Sequence, residues 1–448
     1  MAKSIYELPT AKPEEVGFSS DRMARIGTTM KKHVDSGEAP GIVTLVARHG
    51  KVVHFEAYGM RDIEAGTPIA KDSMFRIASM GKLFTAVAVM ILYEDGLLSL
   101  NDPISRFLPA FKNPVVVTRD PKGTPYIIPP LPRDLGKKPI IGSEIGVSPM
   151  VMVEPARREI VVRDCLTHTT GVATLARAPM SMLAPLVATG RHASSYAPFR
   201  EDGTVEPFFK EHVVTQKERV ELMAKIPLIF QPGTEWDYGP GTDIAGVLVE
   251  VISGKTLEEF LKERIFKPLG MHDTAFYPPK EKILSRLVTL YNVRDKKLIP
   301  IEKPSETQQF KGPEIAFSGS GGEISTIPDC ARFAQMLVNG GELDGIRILG
   351  RKTVELMMTN HTGNIRTGRG EGFGFGLGGY VRTSMVGDNI ACSPEIGSIG
   401  MYGWGGGFNS ILFVDPKEDL IGLGATQLSG GLPNIWTEFQ RLIYISLS

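Results

Sequence analysis

The stretch Ser79-Met80-Gly81-Lys82 places a hydroxyl and an amine three residues apart. A serine is a weak nucleophile until a base takes its proton. Residues spaced i, i+3 on a helix share a face, so Ser79 at a helix start and Lys82 one turn on can meet. A helix N-terminus also presents unbonded backbone N–H groups and positive dipole character, which favour negative charge developing beside Ser79. A lysine buried there loses part of its preference for the charged form and can act as a base. That chemistry is acyl transfer through a serine. The pattern is short, however, and an N-capping serine followed by a solvated lysine also accounts for it.

Two further stretches carry polar or close-approach chemistry. Trp236-Asp237-Tyr238-Gly239-Pro240-Gly241 precedes an apolar-faced helix. A tyrosine on such a turn can point into a cleft, where a nearby ammonium would stabilise its phenolate; a packing tyrosine is the plainer reading. Tyr402-Gly403-Trp404-Gly405-Gly406-Gly407-Phe408-Asn409 reads as a glycine-rich edge strand and turn. Its glycines allow close backbone approach by a ligand. A backbone N–H there could complete an oxyanion hole with that of Ser79; the alternative is a hairpin with a packing Trp404.

Several elements must position these residues. Residues 20–36 read as an amphipathic helix, with Met23, Ile26 and Met30 on one face. Ile42–Arg48 and Lys51–Tyr58 read as a hairpin broken by His49-Gly50. Residues 80–95 form the clearest helix, with Leu83, Val87, Met90 and Ile91 at helical spacing and Gly96 as its stop. Further helices are expected at 158–167, 216–226, 241–253, 257–267 and from Pro328 to about Gly340. Strands are expected at Gly397–Trp404, Ser410–Val414 and Leu420–Thr426, and a last helix at 433–446.

Terminal strands that must share a sheet imply a discontinuous α/β domain with a helical insertion. The expected division is 1–100 with 310–448 as the sheet domain and 101–309 as a mostly helical subdomain. Residues 114–155 hold nine prolines with little periodicity and read as an extended loop. Together with residues 172–215 it is expected to shape the pocket.

Composition bounds the partners. The 448 residues are 42% hydrophobic and 22% charged, ordinary for a soluble enzyme. Lys+Arg and Asp+Glu both number 50, with no long like-charged block, which gives no support to binding nucleic acid or an anionic membrane. Cys165, Cys330 and Cys392 form no CxxC or disulfide framework. The N-terminus lacks the apolar run of a secretory signal, and no apolar run of about 18 residues suggests a membrane span. A cytoplasmic protein is expected. Glycine, at 49 residues, is in excess, chiefly in the C-terminal third.

Taken in order, the three motifs resemble those of the serine β-lactamase/penicillin-binding-protein superfamily. More narrowly, the chain is similar to the class C β-lactamase-like carboxylesterases, the family VIII esterases. Phe75-Arg76-Ile77-Ala78-Ser79, Asp95–Pro103, Leu166-Thr167-His168-Thr169-Thr170-Gly171, Pro268-Leu269-Gly270-Met271 and Ser318-Gly319-Ser320-Gly321-Gly322 carry the resemblance too, across roughly residues 13–445. It implies an antiparallel sheet flanked by helices, with a mostly helical second subdomain. Ser79 would be the nucleophile, Lys82 with Tyr238 the general-base pair, and Trp404, Gly405, Gly406 and Gly407 the oxyanion and substrate-binding strand. No metal or organic cofactor is implied. The expected substrate is a short-chain carboxylic ester.

Two departures weigh against β-lactams and D-Ala peptides. Position 240 is Pro where the lactamase pattern has Tyr-x-Asn, and Trp404 stands where a lysine usually begins the third motif. A cation there would pair with a substrate carboxylate. Lactamase, peptidase, acyltransferase and non-catalytic binding protein remain alternatives on the same fold.

Three patterns carry little. Gly374, Gly376 and Gly379 match G-x-G-x-x-G, but Tyr380–Thr383 reads as strand where a dinucleotide site needs a helix. His168 reads as a structural turn residue. Gly319-Ser320-Gly321 meets the G-x-S-x-G elbow only loosely.

Overall fold

The computed structural model describes residues 8–118, 153–172, 215–295, 297–307, 309, 317–386, 396–429 and 434–448. The N-terminal helix α1 spans Ser20–Asp35, capped by the Ser19 hydroxyl, which accepts from the Arg22 N–H. Strands β1 (Gly41–Arg48), β2 (Lys51–Asp62) and β3 (Thr67–Pro68) follow. Late in the chain come β4 (Phe373–Phe375), β5 (Tyr380–Arg382), β6 (Tyr402–Gly406), β7 (Ser410–Asp415) and β8 (Leu420–Ala425). They form one eight-stranded antiparallel sheet in the order β4-β5-β6-β7-β8-β1-β2-β3. The join between the two ends of the chain is the β1–β8 ladder, running from Val43 opposite Ala425 to Arg48 opposite Leu420.

The glycine excess has a local cause in this sheet. Side chains at Gly422 and Gly424 would run into the rings of Phe413 and Trp436. Those aromatic groups fill the core that the glycines leave open. Gly374 and Gly376 belong to the β4–β5 hairpin, and Gly379 leads into strand β5 rather than into a helix.

Helix α2 (Lys82–Glu94) is buried on all sides from Lys82 to Leu92. A helix apolar all round belongs in a core, and this one packs against α5 (Gly241–Ser253) and β6. It begins later than the sequence suggests, because Ala78–Gly81 forms a 3-10 turn ahead of it. Helix α3 is likewise shorter than expected, spanning Val162–Thr167. The Asp164 carboxylate accepts from the Val161 N–H at 2.9 Å and from both terminal nitrogens of Arg158 at 2.6 and 2.9 Å. These bonds hold 158–161 extended and start the helix at Val162. Helix α4 spans Gln216–Met223. Leu257–Leu261 is α-helical as expected, but Lys262–Phe266 continues it as a π-turn.

Of the proline-rich segment, Val115–Val117 and Val153–Pro155 are not loop but a short antiparallel pair. Residues 119–152 and 173–214, expected to shape the pocket, lie outside the described residues. Among the described residues no helix is long and apolar enough to cross a membrane.

Candidate active site

The chain enters the site along Met74–Arg76, which pairs with Ile324–Thr326. Ala78 then takes a left-handed conformation, φ 47°. Such backbone is unfavourable for a residue with a side chain and persists where the surroundings enforce it. Here it delivers Ser79 to the 3-10 turn ahead of α2, within reach of Tyr238 just before α5. Ser79 and Lys82 are only 3% and 1% exposed.

Three polar groups converge on this point. The Tyr238 hydroxyl donates to Ser79 Oγ at 2.7 Å. Lys82 Nζ lies 3.2 Å from the same oxygen and 5.0 Å above the Tyr238 ring. It also donates to the Ser320 carbonyl at 2.8 Å. The structure therefore brings Ser79, Lys82 and Tyr238 together from segments 159 residues apart. A cation over an aromatic face is attracted to it, so the ring helps to hold the ammonium.

Tyr238 is presented by a braced turn. His168 is buried, sits in a left-handed conformation at φ 58° and ends α3. Its carbonyl accepts from the Asp237 N–H at 3.0 Å, and its Nδ1 accepts from the Gly239 N–H at 3.3 Å. Burial, with the Lys82 charge adding to it, pushes the His168 ring down to about 3, so it stays neutral across the ordinary pH range. The turn reading of His168 is thus correct, but its role as a brace for Tyr238 has no signature in the sequence.

The β6 strand is not an edge strand, as its glycines had suggested. It lies third from the end of the sheet, between β5 and β7. Its ladder to β5 pairs only Tyr402 and Gly403, however, so Trp404-Gly405-Gly406 runs past it. Gly406 lies against the Ile77 carbonyl, where a side chain would collide, and Ser410 Oγ donates to that carbonyl at 3.1 Å. Gly407, itself exposed, begins a turn that the buried Asn409 closes at φ 64°. The Gly406 backbone is therefore laid beside the segment that carries Ser79.

The Trp404 ring lies 5.4 Å from that of Tyr238 and 5.2 Å from that of Phe375. Trp236 stacks 6.3 Å from Tyr238. Together these rings form an aromatic wall at the serine. On Trp404 itself the Arg369 guanidinium sits 5.2 Å from the ring, and it lies 4.3 Å from Tyr380.

A serine held by a lysine and a tyrosine, beside a glycine strand of a large antiparallel sheet, defines a class of acyl-transfer enzyme. The β-lactamase family model matches residues 26–434. Lovastatin esterase of Penicillium rubens is 30% identical over 431 residues, spanning 89% of this chain and 92% of that one. Esterase EstB of Burkholderia gladioli is 24% identical over 426 residues, spanning 91% and 92%. The solved structure of EstCE1, a hydrolase with promiscuous acyltransferase activity, superposes with a TM-score of 0.71 at 23% identity, over 95% of this chain and 99% of its own, a likeness of fold. The chain belongs to the β-lactamase family. It is a serine hydrolase or acyltransferase of that family, with relatives named as esterases.

Proposed function

We propose that the chain is a carboxylesterase acting on short-chain esters through an acyl-enzyme on Ser79. Lys82 and Tyr238 together take the serine proton as Ser79 Oγ attacks the ester carbonyl. Backbone N–H groups of Ser79 and Gly407 hold the oxyanion, on the strand that runs from Trp404 through Gly405 and Gly406. The alcohol leaves with the proton, and water then cleaves the acyl-enzyme. The observation that carries this reading is the double contact on Ser79 Oγ, from Tyr238 at 2.7 Å and Lys82 at 3.2 Å.

The preference for esters over β-lactams is supported by two residues. Pro240, at the start of α5, has no polar side chain to offer a substrate amide. Trp404 puts an indole where a lysine would meet a carboxylate. Its ring packs against Tyr238, the tyrosine that contacts Ser79, and this bulk favours a compact acyl group.

Ser79→Ala is expected to abolish turnover of p-nitrophenyl acetate, a loss of ~10³-fold or more. Intact-mass measurement of the wild type should show an acetyl adduct that the variant lacks. Unchanged turnover in the variant would sink the assignment. Acyl transfer to an added alcohol is a second outcome of the same intermediate, favoured by the likeness to EstCE1. A competition between water and methanol, read as product ratio, separates the two.

A further inference from the structure

Gly319-Ser320-Gly321 meets the nucleophile elbow only loosely, and the acyl-transfer steps give the hydroxyls of Ser318 and Ser320 no role. In the fold Ser318-Gly319-Ser320 is a turn laid on the first residues of α5. Gly319 sits so close to the Thr242 carbonyl and to Gly246 that any side chain would collide. The turn is gripped by Asp243, the third residue of α5, five positions after Tyr238 and 3% exposed. Its Oδ1 accepts from the Ser318 hydroxyl at 2.5 Å and from Gln216 Nε2 of α4 at 2.9 Å. Its Oδ2 accepts from the Ser320 hydroxyl at 2.6 Å. The Thr242 hydroxyl lies 3.0 Å from the same serine oxygen.

The other side of this turn faces α2 with its carbonyls. Gly319 O accepts from the Thr85 hydroxyl at 2.8 Å, and Ser320 O accepts from Lys82 Nζ at 2.8 Å. Hydroxyls clasped on one side and carbonyls presented on the other make the turn a relay between Asp243 and Lys82. Bonds to a carboxylate are stronger than neutral ones. The lysine stem is flexible, whereas an amine acting on Ser79 must be held in one place.

We propose that Asp243 is a positioning residue. By clasping the Ser318 and Ser320 hydroxyls it fixes the Ser320 carbonyl that holds the Lys82 amine against Ser79. This rests on the reading of Lys82 as part of the general base. The same carboxylate lies on the segment that carries Tyr238, so one group ties both partners of Ser79 into one frame.

The test is the pH dependence of kcat and kcat/KM for p-nitrophenyl acetate in Asp243→Asn, Ser320→Ala and the double variant Ser318→Ala/Ser320→Ala. A displaced base should cost roughly 100-fold in kcat with little change in KM. A lysine that loses its carbonyl acceptor also holds its proton less firmly, so the acid limb of the profile should move to lower pH. The serine variants keep the Asp243 charge, so a shift in them reports the clasp rather than the field of the carboxylate. They also decide the matter if Asp243→Asn does not fold. Wild-type kcat in both serine variants would overturn the proposal, and so would a loss of rate with the acid limb unmoved, which marks a merely structural clasp. Lys82→Met, run alongside, separates the two readings. An active Lys82→Met enzyme removes the base that Asp243 is said to position. An inactive one beside normal serine variants overturns Asp243 alone.

Discussion

The two faces of the first turn before α2 treat buried polar groups in opposite ways. On the cleft face, Ser79 Oγ, Lys82 Nζ, the Tyr238 hydroxyl and the Ser320 carbonyl satisfy one another within 3.2 Å. On the rear face, Gly81 packs against the Glu323 carboxyl, which is 1% exposed. Neither of its oxygens has a hydrogen-bond partner among the described residues. Burial, opposed by its own backbone N–H and by Lys82 and aided by the Glu258 charge, raises Glu323 to about 8, so it is a neutral acid near pH 7. Polar groups that are to react are thus converged and bonded, whereas one that does not touch the serine is tolerated by losing its charge. The main-chain contact keeps the rear residue relevant all the same, since the Ile77 N–H donates to the Glu323 carbonyl at 3.2 Å, two residues before Ser79.

The largest way to break this contrast is on the cleft face. Tyr238→Phe removes one of the two contacts on Ser79 Oγ and leaves the ring over which Lys82 sits. General-base assistance is worth about 10²–10⁴-fold, so kcat for p-nitrophenyl acetate should fall within that range while the melting temperature holds. Near-normal turnover would reduce Tyr238 to a packing residue.

On the rear face the expected effect is on stability rather than rate. In the unfolded chain Glu323 titrates near its ordinary value of 4.5, and in the folded protein near 8. Between those values the folded state binds more protons, so its stability falls as pH rises through that window and levels off above it. Glu323→Gln removes this dependence. The variant should melt close to wild type at pH 4.5 and increasingly above it up to pH 8, by at most a few kcal/mol. Its kcat near pH 7 should stay within about threefold, because the carboxyl it replaces is already neutral. A rate loss of the Tyr238→Phe kind would erase the distinction between the faces.

Much of the cleft face was legible in the sequence, because a serine and a lysine one turn apart are a local pattern. The helix cores and the strands at Ser410–Asp415 and Leu420–Ala425 were legible for the same reason, whereas the strand expected at Gly397–Trp404 lies later, at Tyr402–Gly406. What escaped depends on distance or on the main chain. The Ser320 carbonyl meets Lys82 across 238 residues, and a carbonyl has no signature in residue type. His168 was legible as a turn, but which turn it braces is set by tertiary packing. The β6 strand was misread as an edge, since its glycines argue for open backbone and the two strands outside it, Phe373–Phe375 and Tyr380–Arg382, are only three residues each. Nothing in the sequence marks Glu323 as buried, and only the fold shows it packed against Gly81.

The smallest expected effect is also the most local. Gly81 has ordinary helical backbone, φ −59°, so no conformational rule requires glycine there. The requirement is space, because a methyl at this position would run into the Glu323 carboxyl. Gly81→Ala should therefore cost about 1–2 kcal/mol through overpacking, even though alanine is the better helix former. Shortening the rear side chain should return the lost room. In a double-mutant cycle with Glu323→Ala, the alanine at position 81 should become neutral or stabilising, giving a coupling energy of at least ~1 kcal/mol by urea denaturation. Strict additivity would mean that the two faces do not press on one another through Gly81. Coupling would mean that a neutral, unpartnered acid behind the nucleophile fixes which residue can stand between Ser79 and Lys82.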